Sequence, residues 1–393
     1  MRGGEIALEF KEISVRRGAK LVSPSSKQYT LSGLSAYALK GELVALIGDS
    51  GVGKSTLLRL IAGLESLQEG TILRDGFKHR TAISSIAPET LNIGYVPQES
   101  LLFPHLSVSE NIAFSLRGSS LERVQAVVTD SLDFVELLNF AERKVHHLSG
   151  GQRRRVALAR GLVRVLFGDA DVLLLDEPLN SLEPRLQMRI LTRLSKLCER
   201  FKILIIWSTH MIESALRYSH RIWALESSEA LHHGRPLRLY HEPPSRAVAH
   251  LLGEVSWVRS SVLSTMNQAW MRLIAQSADR YEQANEFEIG LRPISWAILT
   301  SLNLNENRTL TNRPRYIIRG RVISLQSVID GDYVTVKLST KPSEESVHET
   351  ENLPNSFLIR MKLTKQIELK ANQEVNAQYL GEPLVYPLDE EPS

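Results

Sequence analysis

The sequence predicts an α/β core built on a parallel sheet, followed by a smaller all-β domain. Three observations carry this reading. Leu43-Val44-Ala45-Leu46-Ile47, Val172-Leu173-Leu174-Leu175 and Ile203-Leu204-Ile205-Ile206-Trp207 are near-continuous apolar runs that stop abruptly at Gly48, Asp176 and Ser208. Such runs suit strands buried on both faces of a parallel sheet. Helical patterns lie between them: Leu121, Val124, Val128, Leu132, Val135 and Leu138 recur at helical spacing, and Pro184 to Arg200 reads as a helix with proline in its first turn. From Glu286 onward the period shortens to alternation, as in Tyr316-Ile317-Ile318 and Tyr333-Val334-Thr335-Val336, with Asp330-Gly331 as a turn signal.

A chain of 393 residues allows two or three domains. Its 43% apolar and 23% charged residues permit a large core and argue against wholesale disorder. The net charge of +3 makes no electrostatic case for nucleic acid. Arg153-Arg154-Arg155 is expected to be solvated surface, because successive helical residues point in different directions. The single cysteine, Cys198, excludes an intrachain disulfide and suits a reducing compartment. No apolar run reaches the length of a membrane span, and Met1 to Glu9 lacks a signal-peptide core. Work at a membrane would therefore require a partner. Residues 251–285 carry weak helical periodicity and read as a linker, while 303–315 and 341–355 read as polar loops.

The chemistry is concentrated past the ends of the apolar runs, where ligands bind in open α/β sheets. Gly48-Asp49-Ser50-Gly51-Val52-Gly53-Lys54-Ser55-Thr56 contains G-x-x-x-x-G-K-[ST] between a predicted strand and the helical Leu57-Leu58-Arg59-Leu60-Ile61. The glycines let the backbone curl so that its N–H groups, backed by a helix N-terminus, cradle phosphate oxygens. Lys54 is expected to reach the β- and γ-phosphates, and the Ser55 hydroxyl to ligate Mg²⁺. A simple glycine turn explains the glycines but not the Lys-Ser pair. Asp176-Glu177 closes the second apolar run. One carboxylate there serves Mg²⁺, and its neighbour orients and deprotonates an attacking water. Two solvated acids would be the ordinary reading of that pair in isolation; the phosphate loop upstream removes the isolation.

The order of these motifs resembles the ABC ATPase family. Leu148-Ser149-Gly150-Gly151-Gln152 matches the family's signature letter for letter and lies between the phosphate loop and the acidic run. Gln98, in Tyr95-Val96-Pro97-Gln98-Glu99, resembles the Q-loop glutamine, and His210, in Ser208-Thr209-His210, resembles the switch histidine. The resemblance covers roughly residues 5–250. It implies a phosphate-loop, RecA-like core with a helical subdomain at about 99–160, within a nucleotide-binding domain of 1–250. It also implies a head-to-tail homodimer in which Ser149, Gly150, Gly151 and Gln152 face the γ-phosphate held by the other copy. By the same resemblance Glu177 is the general base, and Asp176, Ser55 and Gln98 serve Mg²⁺ and the water. His210 then contacts the γ-phosphate.

Three positions depart from the family pattern. Glu183 stands where aspartate is usual in the loop after the acidic pair, Met211 follows His210 where aspartate is common, and Arg17 occupies the place of the adenine-stacking aromatic. Tyr29, after the insertion at 20–28, or the planar guanidinium of Arg17 would stack on adenine, with Tyr29 preferred.

Residues 238–253 resemble the tail of importer ATPases, and Ile289-Gly290-Leu291-Arg292-Pro293 resembles the entry to their OB-like regulatory domain, TOBE, assigned here to 286–393. These features suit importers of ferric iron, polyamines, sulfate, molybdate or sugars; Ile93 to Glu99 and Phe103 to Leu106 look most like the ferric-iron type. The resemblance implies an ATPase energising uptake through a separate membrane permease, from the cytoplasmic face of the inner membrane. A substrate-binding protein would take part indirectly, and segment 98–117 would meet the permease. The competing expectations are a soluble ABC ATPase, which usually carries two ATPase units or a coiled coil, a vestigial regulator, and an exporter motor. One phosphate loop, no sustained heptads, and intact Lys54, Asp176, Glu177 and His210 weigh against the first two; the β-domain weighs against the third.

Overall fold

The computed structural model describes residues 5–15, 30–74, 81–82, 90–116, 120–180, 182–264, 270–273, 275, 287–291, 296–299, 316–328, 331–338, 358–362, 374–379 and 383–387. The chain divides into two compact units, 1–240 and 241–393.

The first unit is organised by a six-stranded sheet. Its strands are β3 (Leu43–Gly48), β6 (Ile93–Val96), β7 (Val172–Leu175), β8 (Leu204–Ser208), β9 (Arg221–Leu225) and β10 (Leu231–Gly234). Their order is β10-β9-β3-β8-β7-β6, parallel from β9 to β6, with β10 antiparallel on the edge. All three apolar runs of the sequence are strands of this sheet. Every residue of β3, β7 and β8 is buried, as expected for strands covered on both faces.

A second sheet, not foreseen from the sequence, has the antiparallel order β2-β1-β4-β5, from β1 (Ile6–Val15), β2 (Leu31–Leu39), β4 (Glu69–Arg74) and β5 (Thr81–Ala82). Burial alternates along β2, and register shifts interrupt the β1 pairings, so no clean period marked it beforehand. The sheets share one core: Phe10 of β1 meets Trp223 of β9 edge to face, with centroids 5.2 Å apart. Helix α1 (Lys54–Ile61) follows β3 and buries Leu57, Leu58, Leu60 and Ile61.

The helical part comprises α2 (Val108–Ala113), α3 (Leu121–Phe134) and α4 (Gly150–Phe167). Ser107 caps α2 in a reciprocal capping box with Glu110. In α3 the expected stripe is only partly realised. Val128, Leu132 and Val135 are buried, whereas Leu121 is 86% and Leu138 44% exposed. The helix ends at Phe134 because Glu136 turns left-handed (φ 58°), which swings Leu137 into the core in place of Leu138. Helix α5 (Pro184–Phe201) begins with proline at its first turn and buries Ile190, Leu191, Leu194, Leu197 and Cys198; burial pushes the Cys198 thiol up, out of reach of ionisation. Helix α6 (Ile212–Tyr218) follows β8, and α7 (Pro236–His241) runs to the unit boundary.

The second unit holds α8 (Arg246–Leu251), β11 (Ser256–Arg259), α9 (Ser260–Ser264) and β12–β18: Phe287–Leu291, Trp296–Leu299, Tyr316–Val328, Gly331–Leu338, Leu358–Lys362, Glu374–Tyr379 and Leu384–Pro387. They form antiparallel sheets of order β11-β12-β18 and β13-β17-β14-β15-β16. Segment 251–285, expected as a linker, supplies β11, because Trp257 lies across Gly290, where a Cβ would meet the indole ring at 2.6 Å. Residues 292–295, 303–315, 329–330 and 341–355 lie outside the described residues.

Leu132 and Leu121 share the same sequence stripe but not the same burial. Leu132→Ala is expected to cost about 2–5 kcal/mol, and Leu121→Ala less than about 0.5 kcal/mol, measured by urea unfolding.

Candidate functional site

The site forms where β3, β8 and β7 end side by side. Leu46 pairs with Ser208, and Leu175 with Trp207, so the residues just past β3 and β7 emerge on either side of Ser208-Thr209-His210. The loop after β3 requires glycine twice. Gly48 sits at φ 155°, where a Cβ would lie 2.5 Å from the Leu225 carbonyl oxygen. Gly53 caps α1 at φ 118°, with Leu31 2.5 Å from the place of its Cβ. The buried Lys54 donates from Nζ to the carbonyls of Gly48 (2.8 Å) and Asp49 (2.7 Å), which curls the loop around the ammonium. Burial lowers the Lys54 pKa, while the carboxylates of Glu177, Asp176 and Asp49 act in the opposite sense.

Asp176 is buried, and its Oδ1 accepts the Ser208 hydroxyl at 2.7 Å; Ser208 Oγ in turn accepts the Glu177 N–H at 2.9 Å. Ser208 was read only as the end of a strand, yet it fixes both acids. Glu177 takes a left-handed backbone (φ 50°), an uncommon conformation for a non-glycine residue, and this aims its carboxylate into the cleft. Three side chains converge on it. His210 Nε2 lies 2.7 Å from Oε1, and Oε2 accepts Gln98 Nε2 at 3.1 Å and Asn180 Nδ2 at 2.9 Å. Asn180 had no role in the sequence reading; its spacing of three from Glu177 was the available signal.

The cleft has a volume of about 460 Å³ and is lined by Ser50, Gly51 and Gly53 to Thr56 of the phosphate loop, by Arg59, Tyr95 and Pro97 to Glu99, and by Asp176 and Glu177. Burial, then the charge of Asp176, pushes the Tyr95 phenol up to about 12, which keeps it neutral beside the acids.

Ser149, Gly150, Gly151 and Gln152 do not line this cleft. They form an exposed start of α4, where the Gln152 N–H donates to Ser149 Oγ at 3.2 Å and the Ser149 N–H to Gln152 Oε1 at 2.9 Å. The three arginines that follow are not simply solvated surface. Arg153 donates to the Leu148 carbonyl, Arg154 to that of Gln98, and Arg155 to those of Val135 and Glu136. Their sequence looks like a charge run, but each has a backbone carbonyl in reach. Tyr29 and Arg17 lie outside the described residues.

A glycine loop with a buried lysine at the end of a central parallel strand, beside paired acids, defines a phosphate-loop nucleotide-binding protein. Comparison with known proteins narrows the class. The ABC transporter family profile matches residues 31–180. The spermidine/putrescine import ATP-binding protein PotA of Vibrio cholerae is 31% identical over 303 residues, 74% of this chain and 78% of that protein. PotA of Aliivibrio fischeri is 37% identical over 230 residues, and the putrescine transport ATP-binding protein PotG of Escherichia coli 37% over 231 residues. These two alignments each take in 58% of this chain and span 60% and 59% of the two relatives' lengths. Among solved structures, the dimeric bacterial ABC transporter cassette MJ0796 superposes with a TM-score of 0.52 at 29% identity, over 58% of this chain and 98% of that one. The chain belongs to the ABC transporter family.

Ser208→Ala would leave the buried Asp176 without its hydroxyl donor and the Glu177 N–H without an acceptor. A loss of about 1–3 kcal/mol in urea unfolding is expected.

Proposed function

We propose that this chain hydrolyses ATP to drive uptake through a separate membrane permease, acting as a head-to-tail homodimer. The carrying observation is the Glu177 carboxylate, held by Gln98, Asn180 and His210 at the rim of a cleft whose floor is the buried Lys54. Loop N–H groups and Lys54 bind the phosphates. Glu177 takes the proton of an attacking water, whose oxygen bonds to the γ-phosphorus as the bond to the bridging oxygen breaks and ADP leaves. His210 and Gln98 orient that carboxylate and the water. The same reading keeps Tyr29 as the adenine platform.

The oxygen donors present fit Mg²⁺, which favours one or two carboxylates plus phosphate oxygens. Asp176 Oδ1 is taken by Ser208, leaving Oδ2 as a ligand; Gln98 gives its nitrogen to Glu177, leaving its amide oxygen; Ser55 supplies a hydroxyl. Bound there, Mg²⁺ would neutralise charge developing on the phosphates.

The second half of the site is assigned to the partner copy's Ser149–Gln152 helix start, whose Ser149 and Gly150 are exposed and which has no place in its own chain's cleft. The dimer of MJ0796 supports this assignment by resemblance. Among the described residues no helix is long and apolar enough to cross a membrane, so attachment at the cytoplasmic face is assigned to the permease. The contact surface is assigned to segment 98–117. There Leu101, left-handed and 62% exposed, is presented by Arg160, which donates to the Ser100 and Leu101 carbonyls. A substrate-binding protein would complete the importer, and nucleic acid has no part. The spermidine and putrescine cargo of the relatives' names favours a polyamine over the ferric iron expected from the sequence. The nucleotide-binding domain is proposed as 1–250, and the C-terminal strands as a TOBE-type regulatory domain.

Glu177→Gln is expected to keep ATP binding, accumulate an ATP-bound dimer in size exclusion and lose at least about 100-fold in turnover; wild-type turnover would remove Glu177 from the role of base. Affinity purification from detergent-solubilised membranes is expected to bring down a permease and a polyamine-binding protein. Recovery only from the soluble fraction would overturn the importer reading while leaving the ATP chemistry in place.

A further inference from the structure

Helix α3 ends in an unusual way. Four consecutive carbonyls at its C-terminus, those of Asp133 to Glu136, accept arginine donors from two other helices. Arg193 of α5 takes the Asp133 and Phe134 carbonyls at 2.8 and 2.6 Å. Arg155 of α4 takes those of Val135 and Glu136 at 3.0 and 3.1 Å. Cations suit this position, because the end of a helix carries unpaired carbonyls and the negative pole of its dipole. A third arginine, Arg189 of α5, grips the Glu136 carboxylate in a bidentate pair, Nε at 2.6 Å and the second nitrogen at 2.8 Å. That guanidinium holds the Glu136 carboxyl below the usual carboxylate range. Glu136 itself sits at φ 58°, so the joint is built on a strained backbone that the arginines over-determine.

The two gripping helices begin at functional segments. Helix α4 is capped by Ser149, six residues before Arg155, and α5 follows the Glu177–Asn180 segment with Glu183 at its N-cap, six residues before Arg189. The Glu183 carboxylate acts electrostatically on both Arg155 and Arg189. Glu183 is one of the departures from the family pattern, so the joint takes in a residue that sets this chain apart.

We propose that Glu136 is a positioning residue: through Arg189, and with Arg155 and Arg193 closing the same joint, it fixes the signature helix start relative to the acid-bearing segment of its own chain. The inference rests on the composite-site reading above, since only there does the position of Ser149 matter to turnover. An ion pair with both partners part-exposed is modest in strength and open to solvent, which suits a joint that must hold and release during a cycle. Glu136 does not line the nucleotide cleft and acts only through the helices it joins.

The test compares full-length wild type, Glu136→Gln, Arg189→Glu, the charge-swapped Glu136→Arg/Arg189→Glu double variant and Ser149→Arg. The readouts are kcat and KM for ATP, with melting temperature as control. Glu136→Gln and Arg189→Glu are expected to lower kcat about threefold to fivefold, the scale of a part-exposed ion pair. KM should stay within about twofold, because the phosphate loop is untouched. The swap should recover most of the lost kcat. A merely structural role would lower the melting temperature without splitting kcat from KM. Unchanged kcat in both single variants, or a swap as slow as they are, would overturn the inference. Ser149→Arg separates the two failures: if it stops turnover while Glu136→Gln does not slow it, only the joint falls; if Ser149→Arg turns over normally, the composite site falls and takes the joint with it.

Discussion

The parallel pairing of β3, β8 and β7 is the constraint on which the rest of the molecule depends. Opposite Leu46 stands Ser208, and opposite Leu175 stands Trp207, so three loops from distant parts of the sequence leave the sheet edge at one level. A slip of one residue would exchange the faces of every side chain and separate Asp176 from Ser208. Complete burial on both faces makes such a slip costly, because each strand offers no polar side to turn outward.

The electrostatics of the cleft follow from that register. Burying Asp176 demands a donor, and the Ser208 hydroxyl supplies it. Burying Lys54 works against its charge, and the carbonyls of Gly48 and Asp49, with three nearby carboxylates, offset this. The charges of the cleft are therefore held by hydrogen bonds from the chain's own groups. Glu177 stays at the rim, part-buried, with its carboxylate turned into the cleft.

Arginine does the joining elsewhere in the first unit. Arg154 reaches from α4 to the Gln98 carbonyl, Arg160 to Ser100 and Leu101, and Arg155, Arg189 and Arg193 to the end of α3. These are long side chains gripping backbone across gaps, and in the case of Arg189 the Glu136 carboxylate, unlike the close-packed leucines and valines of the sheet. Contacts of this kind fix geometry at small energetic depth.

Much was legible in the sequence because local chemistry wrote it there. Apolar runs ending at Gly48, Asp176 and Ser208 mark buried parallel strands, and the glycine spacing around Lys54 marks a phosphate cradle. Pro184 marks a helix start. The antiparallel β1, β2 and β4, the early end of α3, the strand within 251–285 and the carbonyl partners of Arg153 to Arg155 were not legible. Each depends on a partner far along the chain. Glu136 turns α3 off because Leu137 finds the core and Arg189 finds the carboxylate; β11 forms because Gly290 leaves room for Trp257. The sequence by itself determined which groups stand at the spacing of a phosphate loop and its paired acids, since glycine, lysine, serine and acid can be recognised by type and spacing. Only the tertiary structure decided how Asp176 and Glu177 are held, by Ser208, His210, Gln98 and Asn180, because hydrogen bonds are set by distances that only the folded sheet defines.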